Sequence, residues 1–164
     1  YAAGRGEYTY TRPSRHRTPP IVLPGQRRPV PRVANVNDTS ASVDDQLLAR
    51  AHGEVDGVLR AHGVGDTAVS VYSVDAAVQV VQQVRRARDI RLAGAGGTDL
   101  RPGLAAATDA RPRPDVVVVL TDGYTPWPAT APPGSAVVIA LLARHGDTLP
   151  PTPGWAARIE CRLV

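Results

Sequence analysis

The chain has 164 residues and 43% apolar content, which suits one globular domain with a real core and is short for two. All 19 basic residues are Arg, while Lys, Phe and Met are absent. GC-rich coding would favour that bias, so Arg richness alone carries no function. The lack of any Met, the first position included, leads us to expect a segment of a longer protein. The formal net charge of +4 is unevenly placed. Residues 1–32 hold seven of the Arg against Glu7, and the remaining twelve Arg face fourteen acids. The basic character therefore belongs to an arm, whose aromatics are limited to Tyr1, Tyr8 and Tyr10. That is too few for the interleaved pattern of a nucleic-acid binder, so a solvated linker is expected.

Cys161 is the only cysteine, which excludes an internal disulfide and makes a reducing, cytoplasmic compartment the natural expectation. No apolar run approaches the roughly 18–20 residues needed to span a bilayer. The amino end carries Arg and Pro in place of a signal-peptide core.

In chain order, residues 1–32 contain six prolines, which remove donors and fix the backbone, so an extended Pro/Arg-rich arm is expected ahead of a domain over 33–164. Val33 to Asn37 reads as a short strand, with Asn35 and Asn37 unusual for a central position. Asp44 to His62 places Leu47, Leu48, Ala51, Val55, Val58 and Leu59 at helical spacing, and Gly63 supplies the stop. Thr67 to Val74 alternates and is β-branched; Ala76 to Val84 is expected to pair with it across a turn. Arg85, Arg86, Arg88 and Arg91 form a basic cluster read as a solvated face. A glycine-rich loop, Gly94 to Asp99, leads into a helix over roughly Pro102 to Ala110, where Pro102 suits the first turn. Asp115 to Thr121 holds the unbroken run Val116 to Leu120, the signature of a strand covered on both faces. Tyr124-Thr125-Pro126-Trp127-Pro128 must be a stiff loop, with Trp127 a packed lid. Ala136 to Leu142 repeats the buried-strand pattern, and Ala157 to Val164 is a last amphipathic strand. The histidines at 16, 52, 62 and 145 lack ligand spacing and are expected at the surface. This alternation predicts an α/β fold, a doubly wound, mostly parallel sheet flanked by helices.

In such a sheet, ligands sit beyond the carboxyl ends of the strands, where strand order reverses. Oxygen-bearing side chains follow an apolar strand or lie in the glycine loop at three places: Asp38, Ser40 and Ser42; Thr98; and Asp122. A carboxylate and two hydroxyls spaced two apart can turn toward one point, which suits a hard divalent cation. Plainer roles exist for each. Ser42 can cap the following helix with Asp45 three residues on, Thr98 can cap the next one, and Asp38 and Asp122 can be turn acids.

Asp38-Thr39-Ser40-Ala41-Ser42, Thr98 in a glycine loop and Asp122 after a hydrophobic strand together resemble the metal-ion-dependent adhesion site of von Willebrand factor A domains. More narrowly, Gly96-Gly97-Thr98-Asp99 and Thr121-Asp122-Gly123-Tyr124-Thr125-Pro126-Trp127-Pro128 resemble the VWA-like domain found C-terminal to a metallopeptidase-like domain in bacterial proteins. Those proteins resemble partners of MoxR-type AAA+ ATPases. The resemblance implies a Mg²⁺ site, with Mn²⁺ or Ca²⁺ as alternatives. Ser40 and Ser42 would ligate directly, Thr98 directly or through water, and Asp38 and Asp122 mostly through bound water. One position would remain for an acidic side chain of a protein partner. Ala41 stands where the family usually has glycine.

The expected function is thus a non-enzymatic, divalent-metal-dependent interaction module. One competitor is a phosphoryl-transfer or nucleotide-binding domain using Asp38 or Asp122. It is disfavoured because the chain has no Lys and Gly94 to Asp99 fits neither phosphate-loop nor dinucleotide patterns. The other is a metal-free scaffold. A peptidase within the segment is disfavoured by the lack of His-Glu-x-x-His.

Overall fold

The computed structural model describes residues 7–11, 13–15, 20–27, 31–40, 43, 46, 48–53, 57, 69–74, 78–84 and 99–163. The chain divides into two compact units, residues 1–30 and 31–164. In the first, β1 (Glu7–Thr9) pairs antiparallel with β2 (Gly25–Arg27), Tyr8 opposite Gln26. The Ser14 amide donates to the Leu23 carbonyl at 2.9 Å. The extended backbone expected for the arm is therefore partly laddered onto itself. Both strands have only three residues, as proline-rich sequence around them would dictate.

The second unit is built on six strands: β3 (Val33–Asp38), β4 (Val69–Val74), β5 (Val78–Val84), β6 (Val116–Thr121), β7 (Ala136–Arg144) and β8 (Ala157–Leu163). Their order in the sheet is β5-β4-β3-β6-β7-β8. All neighbours run parallel except β4 and β5, an antiparallel pair whose register shifts between Ser73 and Val74. The expected doubly wound, mostly parallel α/β sheet is what forms. Residues 46, 48–53 and 57 are helical (α1), and α2 spans Arg101–Asp109 with Pro102 in its first turn. The arginine cluster at 85–91 lies outside the described residues.

The two faces of the sheet are different in kind. Side chains alternate along each strand, so Ala34 and Val36 face one way with Tyr72, Val74, Val117, Val119, Val137, Ile139 and Leu141. Leu100, Leu104 and Ala107 of the α2 region cover them to give a wholly apolar layer. The helix comes in close because it presents Gly103, where an added Cβ would overlap the Val74 side chain. On the opposite face, Leu48 and Ala51 of α1 pack with Leu120, Ala140 and Leu142. At the free side of β8, Glu160 pairs with Arg158 at 2.8 Å and with Arg162 at 3.2 Å. Charges along an edge strand discourage pairing with another chain.

The α1 face also carries a strip of buried polar side chains. Asn35, Asn37 and Ser73 are buried there, with Asn37 and Ser73 side by side in register. His52 is buried as well, at 5% exposure, which corrects the expected surface position. Leu48, Ala51 and His52 stand at i, i+3 and i+4, so the helical period that turns two apolar residues inward turns the imidazole inward too. Asn35 meets it: the amide Nδ2 donates to His52 Nδ1 at 3.1 Å. Asn35 Oδ1, both polar atoms of Asn37, Ser73 Oγ and His52 Nε2 have no hydrogen-bond partner. His145 is exposed as expected, while His16 and His62 lie outside the described residues.

Burial lowers the His52 pKa to about 4, so the native state holds the ring neutral while the unfolded chain takes up a proton near its ordinary value of 6.5. Stability is then fully present above pH 6.5 and is lost as the pH falls toward 4. Urea unfolding followed from pH 7 to 4.5 should show a loss of about 2 kcal/mol attributable to this one ring. His52→Gln should flatten that part of the profile, and an unchanged slope in the variant would contradict the assignment.

Candidate functional site

The central pair of strands sets the site. From β3 the chain passes to α1 on one face, and β6 is preceded by α2 on the other, so the carboxyl ends of β3 and β6 flank the place where winding reverses. Asn37 and Leu120 are register partners, which places Asp38 and Thr121 next to one another at the tips of the two strands.

These two side chains are joined directly. Thr121 Oγ1 donates to Asp38 Oδ2 at 2.6 Å, and the Ser40 amide donates to Asp38 Oδ1 at 2.9 Å. Thr121 Oγ1 in turn accepts from the Gly123 amide at 2.9 Å. Asp122 lies between them, half-buried, with its Oδ1 accepting from the Tyr124 amide at 3.0 Å. The loop after β3 is pinned on its other side as well. The Thr39 amide and hydroxyl both donate to the Val74 carbonyl, at 2.9 and 3.1 Å, and the Val43 amide donates to the Ser40 carbonyl at 3.0 Å. Ser40 is buried at 5% exposure.

The loop after β6 ties the neighbouring loops together. Thr125 Oγ1 accepts from the Leu100 amide at 3.1 Å at the start of α2. The Tyr124 hydroxyl donates to the Thr148 carbonyl at 3.1 Å beyond β7 while its ring stays exposed. Trp127 packs against the α2-side core, as a lid would, and Trp155 packs there too, donating from Nε1 to the Pro128 carbonyl at 3.2 Å. Asp99, the acid next to Thr98, is engaged by Arg101. It accepts from Arg101 at its backbone amide, Nε and Nη2, and that guanidinium holds its carboxyl below the usual range.

Of the five residues that sequence reasoning singles out, Asp38, Ser40 and Asp122 sit together at this edge. Ser42 and Thr98 lie outside the described residues. Reasoning from sequence missed Thr121, the residue that connects the two carboxylate positions. Its sequence signal is a hydroxyl directly before Asp122 at the end of an apolar strand; that the strand lies beside β3 comes only from the fold.

Asp38 is 0% exposed, and no cationic side chain among the described residues pairs with it. Ion pairs among the described residues join Asp99 to Arg101 and Glu160 to Arg158 and Arg162. A buried carboxylate normally needs a compensating charge as well as hydrogen bonds. The donors around it are carboxylate and hydroxyl oxygens, a set that fits a hard dication and offers nothing to a soft one. The described residues contain no group of three or more His, Cys, Asp or Glu that could hold a metal ion.

Residues 33–161 match the model of a family described as VWA-like domain (DUF2201). No curated protein matches the chain.

Gly123 adopts φ +88°, and a Cβ built there would lie 2.6 Å from Leu141 Cδ2 and 2.7 Å from Pro150 Cγ. The turn that presents Asp122 thus needs glycine both for its backbone and for space. Gly123→Ala should cost about 2–4 kcal/mol in a denaturation experiment, from left-handed strain plus overpacking. A loss under about 0.5 kcal/mol would contradict this reading of the turn.

Proposed function

The chain belongs to the VWA-like domain family, and from that premise we propose that Asp38, Ser40, Ser42, Thr98 and Asp122 form a divalent cation site. The ion is Mg²⁺, with Mn²⁺ or Ca²⁺ as alternatives, and its bound form captures an acidic side chain of a protein partner. The domain is then an interaction module and not an enzyme. The observation that carries this reading is the buried Asp38 carboxylate, hydrogen-bonded by the Thr121 hydroxyl and the Ser40 amide and paired with no cationic side chain among the described residues.

The chemistry supports capture of an anion. Hydroxyl ligands are neutral, so an ion held mainly through Ser40, Ser42 and Thr98 stays under-neutralised and attracts a further carboxylate. The same geometry argues against Asp38 as a phosphoryl-accepting nucleophile, because its carboxylate is buried and both oxygens are engaged. We further propose, from the resemblance of the Thr121 to Pro128 string, that the module works beside a metallopeptidase-like domain or a MoxR-type AAA+ ATPase in the cytoplasm. No helix among the described residues is long and apolar enough to cross a membrane.

Thermal unfolding with added Mg²⁺ or Mn²⁺ tests the site. At an ion concentration about ten times Kd, linkage gives about 1.4 kcal/mol and a rise of a few degrees in Tm. Asp38→Ala and Ser40→Ala should abolish the rise whatever their own Tm. Identical metal-induced shifts in all three proteins would reject the assignment and leave a scaffold.

A further inference from the structure

We propose that Thr121 is the positioning residue of this site, the one side chain that sets how the two carboxylates stand relative to each other. The inference rests on the cation reading above and adds to it a residue outside the five expected ligands.

The hydroxyl of Thr121 is used in two directions. Its proton goes to Asp38 Oδ2 at 2.6 Å, a short bond to a charged acceptor, and a lone pair receives the Gly123 amide at 2.9 Å. The first bond crosses from β6 to β3 and fixes the Asp38 carboxylate plane, whose other oxygen is held by the Ser40 amide. The second closes a turn over Asp122, so that residue's backbone is clamped on both sides by one oxygen atom. Asp122 then closes its own turn onto Tyr124 at 3.0 Å. Thr121 is 0% exposed, and Asp38 shares that burial, so water does not compete for either bond.

This arrangement has a consequence for ion choice. Mg²⁺ demands near-ideal octahedral geometry, whereas Ca²⁺ accepts variable coordination number and angle. A residue that fixes the relative placement of two carboxylates therefore matters more for Mg²⁺ than for Ca²⁺. Residues that act on a metal through its ligands typically change affinity 10–100-fold. Loss of mere scaffold stability would instead weaken both ions alike.

The test is calorimetric titration of the 164-residue chain with Mg²⁺ and separately with Ca²⁺, comparing wild type, Thr121→Val and Thr121→Ser. Denaturation in excess EDTA reports the metal-free stability of each. Thr121→Val keeps the side-chain shape and loses the hydroxyl; it should lose Mg²⁺ affinity at least about tenfold and Ca²⁺ affinity distinctly less. Thr121→Ser should bind both ions like wild type. If Thr121→Val does not fold, Thr121→Ala carries the same comparison. Wild-type binding with equal losses for both ions, or with no loss in the valine variant, overturns the role of Thr121 alone. Failure of the wild-type chain to bind either ion overturns the cation reading, and this inference with it.

Discussion

A single buried carboxylate governs the carboxyl edge of this sheet. Asp38 ends the central strand, is closed off from solvent, and is held by the Thr121 hydroxyl and the Ser40 amide. Hydrogen bonds to a charged group contribute about 1.5–3 kcal/mol each. Taking an ionised carboxylate out of water costs several kcal/mol even after relaxation. Two such bonds bring the two sides near balance and leave little margin, and among the described residues no arginine pairs with Asp38. The proposed dication at the strand tips would widen that margin, although its direct ligands are expected to be hydroxyls.

The sheet below is asymmetric in a way that suits this edge. Its α2 face is a continuous apolar layer in which Gly103 brings the helix hard against Val74. Its α1 face gives up apolar burial at Asn35, Asn37 and Ser73 and keeps several polar atoms there without partners. Among the described residues, the helix that follows the Asp38–Ser40 loop packs Leu48 and Ala51 on the sheet and meets it through the amide–imidazole bond, while α2 rests on the apolar layer of the other face. Buried polar atoms without partners cost about 1–3 kcal/mol each, so the polar strip on this face lowers stability.

Much of the fold was legible in the sequence, and the reasons are particular. Val116 to Leu120 announces a strand covered on both faces, Ala136 to Leu142 repeats that apolar pattern, and Val33 to Asn37 reads as a strand despite Asn35 and Asn37. The hairpin partner at Val78–Val84 and the helix after the glycine loop also formed close to their expected bounds. Two things were less legible. The histidine spacing, which fits no ligand set, suggests a surface position for His52, while its i, i+3, i+4 relation to Leu48 and Ala51 points inward. Thr121 was passed over because its role depends on which strand lies beside β6, and strand order is a tertiary fact that no local pattern encodes. At the candidate site, Asp38, Ser40 and Asp122 were identified from their positions after apolar strands, and the fold brings those strand ends together.

The most direct measurement is a crystal structure of the chain grown with Mn²⁺, read by anomalous scattering. The expected result is one peak at the β3–β6 edge, about 2.0–2.3 Å from the Ser40 hydroxyl, with oxygen ligands completing six-fold coordination and Asp38 still bonded to Thr121. A structure with that edge free of lattice contacts, millimolar Mn²⁺ in the crystal and no peak beside Ser40 would contradict it.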